Sequence, residues 1–428
     1  MTLLTDKPQQ LHTNTATDKW LVLAGAVLGW LFAGVQLALM PFAALTISKD
    51  LMGEAYTAAG AGSWFAAYSA ITMLGAATGG LVFGNLGDRF GRAKGLSWSI
   101  LCFTVFGLAG SLAQNQPQLL ALRFLVGLGV GGTWPNGVSL LSEFWTDVSR
   151  PMMAGLMGAA ANLGILILSL LGKIYEVTPD TWRGLMLMTG SPVVLGLLAL
   201  WFVPESPKWL QTRAASAGQP AAMPLRELFR SPLLRSTLLG IALGAIPLLG
   251  AWASSKWMLP WADDVGGAAQ PGYKASTLLC WATGATLGGL FGGHVGQLLG
   301  RRFSYTCISL AACGMNVYIY TFLEPLQPWF LPAVFIQGLI STLFFGWLPL
   351  YLPEIFPTHV RATGTGISYN FGRFLTAAGV MAAGLLIQLF EGNYARVGAV
   401  TGLVYALGAI VIWFAPETRG QSLKNRTT

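Results

Sequence analysis

The chain has 428 residues, of which 54% are hydrophobic and only 10% are charged, and its formal net charge is +8. A soluble domain carries about 25% charged residues, so this chain has too few to cover a globule of its size. The composition therefore excludes a soluble enzyme, a disordered chain and a nucleic-acid-binding protein. Its apolar residues suffice for roughly a dozen membrane spans of about 20 residues each, which predicts a polytopic membrane protein.

Apolar runs between charged or Pro/Gly-rich breaks predict twelve transmembrane helices and an all-α fold. The runs lack the alternating pattern of barrel strands and are about twice as long. In the first half they cover residues 20–46, 60–84, 95–114, 118–141, 151–172 and 183–203. In the second half they cover residues 234–258, 275–299, 304–323, 328–351, 362–389 and 395–415.

The distribution of Lys and Arg predicts how these spans are oriented, because cytoplasmic loops are enriched in positive charge. Of the 25 Lys and Arg residues, 17 fall on the side of the chain termini, five on the opposite side and three within spans. Both termini are therefore expected in the cytoplasm. The chain divides into a tail, a six-helix bundle, a linker, a second six-helix bundle and a tail, at residues 1–19, 20–203, 204–233, 234–415 and 416–428.

Cysteine and histidine usage gives no sign of a metal centre. Cys102, Cys280, Cys307 and Cys313 all fall in apolar stretches, where a free cysteine behaves as a small hydrophobic residue. The sequence also offers no nucleophile–base pair that would support catalysis. We expect neither a metal, a cofactor nor an enzymatic activity.

Three motifs of the first half recur in the second half at nearly constant offsets of 209, 211 and 212 residues. They are Gly-Asn-Leu-Gly-Asp-Arg-Phe-Gly-Arg at 84–92 with its weaker counterpart at 293–301, the pairs Glu143/Arg150 and Glu354/Arg361, and the triplets at 204–206 and 416–418. Such a repeat predicts a duplicated six-helix unit, with the two bundles enclosing a central cavity.

These motifs resemble the major facilitator superfamily over nearly the whole chain. Residues 84–92 resemble that superfamily's signature between helices 2 and 3. Residues 204–210 and 416–420 resemble the motifs that close each half in sugar porters and organic-ion transporters, and 354–364 resemble the same group's signature between helices 10 and 11. The resemblance implies alternating access, in which two halves rock about a central site.

The charged residues of these motifs lie at predicted helix ends, where pairing between opposite charges is worthwhile. The resemblance implies that they latch a cytoplasmic gate, whereas an alternative is that they only enforce topology and helix packing. The gating candidates are Asp88, Arg89, Arg92, Glu143, Arg150, Glu205, Glu354, Arg361 and Glu417.

Charges within the spans are all positive, because the 17 carboxylates fall in loops or at helix ends while Arg123, Lys256 and Arg373 do not. An ionisable residue in a membrane costs several kcal/mol, so each is a functional candidate. Arg373 lies roughly 16 Å deep, beyond the reach of snorkelling. An anionic ligand is its natural partner, although backbone carbonyls or an aromatic face are alternatives.

The segment 368–373 also resembles the eleventh helix of organic-anion and aromatic-acid transporters, where an arginine is tied to anion recognition. An arginine at the place of Arg123 is widespread in the sugar-porter-like branch, so a structural role is its alternative. Lys256 lies near the outer end of the seventh span, where its side chain could instead snorkel.

Aromatic and amide residues in the middle of spans are further candidates for lining the cavity. The aromatic residues could stack on a substrate ring, and the amides could bind hydroxyl or carbonyl groups. Packing and hydrogen bonds between helices are the alternative roles. The candidates for binding substrate are Trp134, Trp347, Tyr369, Gln36, Asn136, Asn162, Gln337 and Asn370, and the aromatic residues Trp30, Tyr68 and Trp281 also lie in the middle of spans, where they could line the cavity.

The first span, at 29–36, resembles that of aromatic-acid and sialic-acid proton symporters, which often carry aspartates where Ala33 and Gln36 stand here. A proton-coupled carrier needs a titratable group in its cavity. The sequence therefore favours facilitated diffusion or exchange of a small organic anion. A proton-coupled organic-acid symporter and a neutral sugar or polyol facilitator are the alternatives.

The expected partners are a small-molecule substrate and the lipid bilayer, without nucleic acid. Each chain carries both halves of the repeat, so a monomer is expected to suffice for transport. The short outer loops favour a bacterial inner membrane.

Overall fold

The computed structural model describes residues 15–145, 150–207, 209–211, 225–357 and 360–419. Within these ranges it describes all side chains except those of residues 150, 151, 154, 225, 226, 361 and 362. The described chain is helical almost throughout, and no β-strand occurs in it. The all-α prediction is therefore confirmed.

Six helical spans make up the first half of the described chain. They are α1 (Ala16–Met52), α2 (Ala58–Phe90), α3 (Arg92–Ala109), α4 (Gln116–Phe144), α5 (Arg150–Ile174) and α6 (Trp182–Phe202, broken between Gly190 and Val193). Six more make up the second half. They are α7 (Leu234–Gly266), α8 (Tyr273–Leu299), α9 (Arg301–Phe322), α10 (Phe330–Tyr351), α11 (Arg361–Leu389) and α12 (Tyr394–Phe414, interrupted at Leu403).

Each of the twelve predicted spans corresponds to one of these helices. Among the described residues, nine of the twelve are long and apolar enough to cross a membrane on length and composition alone. The other three, α4, α8 and α9, fall below that level of hydropathy but are 22 to 29 residues long. Several helices run past the predicted ends, because a helix can continue beyond the apolar core into the polar interface.

The face where α1 begins and α12 ends is called the terminal face, and the other side the opposite face. At the terminal face the sequence repeat has a structural counterpart. The Glu205 carboxylate accepts hydrogen bonds from the backbone N–H of Arg92 (2.8 Å) and of the next residue (3.2 Å) at the start of α3. Glu417 accepts from the backbone N–H groups of Arg301 and Arg302, both at 2.9 Å, at the start of α9. Each glutamate thus caps a helix N-terminus, which favours negative charge.

A glycine with positive φ precedes each of these capped helices. Gly91 has φ of 118° and Gly300 has φ of 86°. Most other residues avoid this region because their Cβ clashes with the backbone. The repeated motif therefore needs glycine at both positions to turn the chain sharply from α2 into α3 and from α8 into α9.

Arginine–glutamate pairs complete the repeat. Arg301 binds both carboxylate oxygens of Glu354, at 2.8 and 3.0 Å. Arg92 lies 3.3 Å from a carboxylate oxygen of Glu143 and 3.1 Å from one of Asp88. The same constellation thus recurs in both halves, which confirms the duplicated six-helix architecture.

Glycines let helices approach closely both within and between the halves. A Cβ placed on Gly79 of α2 would lie 1.9 Å from the Leu128 carbonyl oxygen of α4, so only glycine fits there. Between the halves, a Cβ on Gly289 of α8 would lie 3.1 Å from the Gly158 carbonyl oxygen of α5. Small residues at such crossings allow the van der Waals contact that holds helices together in lipid.

The Glu417 cap predicts a pH-dependent contribution to stability. Partial burial raises the pKa of the Glu417 carboxyl, but the backbone N–H groups of Arg302, Arg301, Arg419 and Thr418 lower it by more, so the pKa lies below its ordinary value of 4.5. A depressed pKa adds stability above the ordinary value, and this stability is lost as the pH falls through the lowered value. We expect Glu417→Gln to lower the thermal midpoint of the detergent-purified protein by about 1–3 °C at pH 7.

The difference between wild type and Glu417→Gln should shrink as the pH falls below about 4.5. Glu324→Gln, at an exposed position of the α9–α10 loop, is the matched control and should change little. A pH-independent difference for Glu417→Gln would contradict a role for its negative charge.

Candidate substrate-binding cavity

A cavity of about 100 Å³ lies between the two halves near the middle of the helices. α1, α2, α4 and α5 contribute its wall from the first half, and α7, α8, α10 and α11 contribute its wall from the second. Cavities between helices of a bundle are common sites for small ligands. Of the residues predicted to bind substrate, the cavity is lined by Arg373, Lys256, Asn162, Trp134 and Tyr369.

Aromatic side chains form much of the cavity wall. Trp30 and Trp134 lie with their ring centroids 5.0 Å apart, and Trp134 stacks on Tyr369 across the two halves at 6.3 Å. Such rings present flat apolar faces on which a planar ligand can stack. The aromatic lining residues are Trp30, Trp134, Trp252, Trp281, Phe345 and Tyr369.

Arg373 brings a positive charge into this cavity from the middle of α11. Its Nη1 donates to the Ala76 carbonyl oxygen of α2 at 3.3 Å, and its guanidinium carbon lies 5.0 Å from the centroid of the Tyr369 ring. The side chain is only 4% exposed. Both of these partners are neutral, so neither cancels the charge.

Lys256 brings a second positive charge into the same cavity from α7. Its Nζ lies 3.4 Å from the centroid of the Trp281 ring and 5.8 Å from that of Trp252. It is 3% exposed, and within the described residues Nζ has no hydrogen-bond partner. An aromatic face attracts a cation but does not neutralise it. The ammonium group can therefore still bind an anion.

The described charges of the cavity are all positive, and they come from one half of the protein. Its described lining residues include two cations and no carboxylate, and both cations come from the second half. The wall from the first half is apolar apart from Asn162, which donates to the carbonyl oxygens of Gly158 (3.0 Å) and Ala285 (3.2 Å). The cavity thus suits a ligand with an anionic end and an apolar body.

An irregular turn in α7 places Lys256 at the cavity. The helix widens to a π-turn at Gly250–Ser254 and tightens to a 3₁₀ turn at Ser255–Trp257. The Ser254 hydroxyl donates to the Gly398 carbonyl oxygen (2.8 Å), and the Tyr320 hydroxyl donates to the Ser254 carbonyl oxygen (2.7 Å). Irregular backbone at membrane depth is tolerated only where protein or a cavity satisfies it, and π-turns often mark functional sites.

The residue after Lys256 closes the cavity toward the opposite face. Trp257 packs edge-on against Phe65 of the first half at 4.7 Å and stacks on Tyr394 at 5.8 Å. Nearby, Gln388 donates to the Ser63 hydroxyl across the two halves at 3.1 Å. The Trp257–Phe65 and Gln388–Ser63 contacts join the halves and form a seal on that side of the cavity, called the opposite-face seal.

Arg123 and Gln36, both predicted to bind substrate, do not line the cavity. Arg123 is fully buried inside the first half and donates from Nη1 to the Gln36 Oε1 at 3.2 Å. Gln36 in turn donates to the Thr189 carbonyl oxygen of α6 at 2.9 Å. The sequence shows depth in the membrane but not the rotation of a helix about its axis. Here the rotation turns Arg123 toward Gln36 on α1, and it turns Gln36 toward Arg123 on α4 and Thr189 on α6.

Two predicted amides also lie away from the cavity. Asn136 donates to the carbonyl oxygens of Phe83 (3.0 Å) and Gly132 (2.9 Å), which joins α4 to α2. Asn370 packs against Gly80 where α11 meets α2. Both positions fit the alternative to substrate binding, in which an amide packs or forms hydrogen bonds between helices.

Gln337 and Trp347 lie within the second half, away from the cavity. Gln337 approaches the Ser255 hydroxyl at 3.4 Å, so it supports the turn that carries Lys256. Trp347 is fully buried and donates to the Ser304 hydroxyl at 3.0 Å. The sequence missed the lining residues Met73, Ile165, Thr342 and Phe345, which do not differ from ordinary packing residues in type or depth.

The gating candidates lie at the terminal face, where the motifs predict them. Asp88 and Arg89 are exposed at the end of α2, and Trp209 donates from its indole N–H to the Asp88 carbonyl oxygen at 2.8 Å. The side chains of Arg150 and Arg361 lie outside the described residues.

Residues 21–266 match the family model of the Major Facilitator Superfamily. Paired six-helix bundles around a central cavity are the architecture of many membrane transporters. The match covers more than half of the chain, so the chain belongs to the Major Facilitator Superfamily and is a membrane transporter, not an enzyme.

Similar proteins include bacterial transporters and solved structures of the same fold. The chain is 27% identical to a cis,cis-muconate transport protein of Acinetobacter baylyi, over 90% of this chain and 91% of that protein. It is also 27% identical to a gallate transporter of Pseudomonas putida, over 88% of this chain and 87% of that protein. The inward-open xylose transporter XylE from E. coli superposes with a TM-score of 0.70 at 18% identity, over 95% of this chain and 98% of that one, which shows the shared fold.

The support of the α7 turn gives a testable prediction. Tyr320→Phe removes the hydroxyl that binds the Ser254 carbonyl oxygen, which should cost about 1 kcal/mol of stability and loosen the position of Lys256. We expect substrate binding, measured by calorimetry on purified protein, to weaken severalfold. Tyr318→Phe on the same helix is the matched control, because Tyr318 is 42% exposed. Unchanged affinity in Tyr320→Phe would contradict a positioning role for this contact.

Proposed function

We propose that this transporter carries a small organic anion, a carboxylate with an aromatic or unsaturated body. The observation that carries this proposal is the cavity's charge: Arg373 and Lys256 line it, and its described lining residues include no carboxylate. A buried cation without a counter-charge is costly, so a ligand that supplies the negative charge is strongly favoured.

Each wall of the cavity has a proposed part in binding. The planar guanidinium of Arg373 can bind a carboxylate bidentately, and the Lys256 ammonium adds a second charge-assisted contact. The ring or unsaturated body then lies against the aromatic wall that includes Trp30 and Trp134. The Asn162 side chain then binds a further polar group of the substrate.

The names of the relatives agree with this substrate class. Cis,cis-muconate and gallate, the substrates in the names of the two relatives above, are both carboxylates with an unsaturated or aromatic body. The relatives match this chain over most of its length, which supports a shared class of substrate.

We propose facilitated diffusion or anion exchange as the mode of transport. A cavity-lining carboxylate that could carry a proton is absent from the described residues, and the partner of Arg123 is the uncharged amide of Gln36. The described cavity lining therefore offers no acidic side chain through which transport could be coupled to protons.

We place the terminal face in the cytoplasm, in a bacterial inner membrane, because of its excess of Lys and Arg. Its clusters Arg92–Asp88–Glu143 and Arg301–Glu354 then act as the cytoplasmic gate, while the opposite-face seal closes the outer side. The described ion-pair partners of Arg92 and Arg301 lie within their own half, so that the halves can separate at the cytoplasmic face. One chain contains the whole cavity, which supports transport by a monomer.

Arg373→Ala tests the substrate class. A thermal-shift panel of aromatic acids, unsaturated dicarboxylates and neutral sugars is measured on wild type, Arg373→Ala and the control Arg396→Ala, whose side chain is exposed on the opposite face. We expect only acids to stabilise wild type and Arg396→Ala, with the effect lost in Arg373→Ala because the bidentate contact is removed. Stabilisation by sugars that persists in Arg373→Ala would overturn the proposal.

Asp88→Asn tests the gate. Asp88 is 60% exposed, and an exposed pair with Arg92 adds little stability, so the amount of protein in the membrane should barely change. Transport should nevertheless fall about tenfold or more if the pair orients Arg92 in the gate. Asp180→Asn, exposed on the opposite face, is the control. Equal losses of transport and of membrane protein in Asp88→Asn would favour a purely structural role.

A further inference from the structure

We propose that this carrier is an obligatory anion exchanger, in which the cavity passes from one side to the other only with an anion bound. The inference rests on the proposed function and adds a second substrate, a counter-anion that leaves on the return step. It follows from how the two cavity cations are buried and partnered.

Both cations are removed from water in the arrangement that the structure shows. Arg373 is 4% exposed and Lys256 is 3% exposed. The opposite-face seal closes one side, and α5 and α8 approach closely through Gly158 and Gly289 between the halves. A carrier that changes its accessible side must pass through an arrangement closed on both sides, in which water no longer screens the two charges.

The protein itself offers these cations only neutral partners. Arg373 has the Ala76 carbonyl oxygen and the Tyr369 ring, and Lys256 has the Trp281 ring without a hydrogen bond from the described residues to Nζ. An unloaded carrier would therefore bury two uncompensated positive charges during reorientation, whereas a bound carboxylate supplies negative charge and hydrogen-bond acceptors. The anion thus lowers the barrier in both directions, and net movement of the empty carrier is suppressed.

Lys256 is the residue that most strongly imposes this requirement. Arg373 donates at least one hydrogen bond to protein, but Nζ of Lys256 lacks one among the described residues. Lys256 is also joined directly to Trp257, which packs in the opposite-face seal. An anion bound to the Lys256 ammonium group is therefore one residue away from the Trp257–Phe65 contact of the opposite-face seal.

The test is transport by the purified protein in liposomes, with radiolabelled gallate, 4-hydroxybenzoate and cis,cis-muconate as probes. Uptake is compared between vesicles loaded with the same unlabelled anion and vesicles without it, with the membrane potential clamped by potassium and valinomycin. We expect uptake into loaded vesicles to be at least about tenfold faster. Equal rates in loaded and unloaded vesicles would overturn obligatory exchange while leaving the proposed function intact.

Variants separate the role of Lys256 from a general loss of transport. Lys256→Gln removes one buried charge and leaves Arg373, so we expect the ratio of exchange to net uptake to fall toward one even if the affinity drops. Lys94→Gln removes an exposed charge of α3 and should keep the wild-type ratio. A wild-type ratio in Lys256→Gln would overturn the role of this residue. No transport of any probe in either kind of vesicle would reject the proposed function together with the inference.

Discussion

The burial of positive charge without a negative side chain is the constraint on which the function of this transporter depends. A charged group in a bilayer interior is costly unless it is paired, and here the described partners of Arg373 and Lys256 are a carbonyl oxygen and aromatic rings. In the proposed function, the bound substrate supplies the missing negative charge. Substrate class and the proposed exchange mode both follow from this single electrostatic condition.

The rest of the second half holds the charges in place. The π-turn of α7 is tied by Ser254 and Tyr320, and it sets Lys256 at the cavity and Trp257 in the opposite-face seal. The first half contributes a mainly aromatic and apolar wall instead. The duplicated halves therefore keep the same scaffold, with matching glutamate caps at Glu205 and Glu417, while their cavity surfaces have diverged in charge.

Some of the residues predicted to bind substrate line the cavity, and others lie between helices. Arg373 and Lys256 could be found because a charge within an apolar span is rare enough to be informative. Arg123 is equally rare, yet it lies inside the first half against Gln36. Amides such as Asn136 and Gln337 are ambiguous in the same way, because a polar group between helices and one at a cavity have the same depth.

The sequence by itself determined the membrane class, the twelve spans, the duplication and the excess of positive charge at bilayer depth, since these depend on composition and spacing along the chain. Tertiary structure alone decided which side chains face the cavity, because a rotation of about 100° separates successive residues of a helix and packing sets where that rotation begins. It also decided the broken course of α7, whose turn depends on hydroxyl and carbonyl groups from α9 and α12.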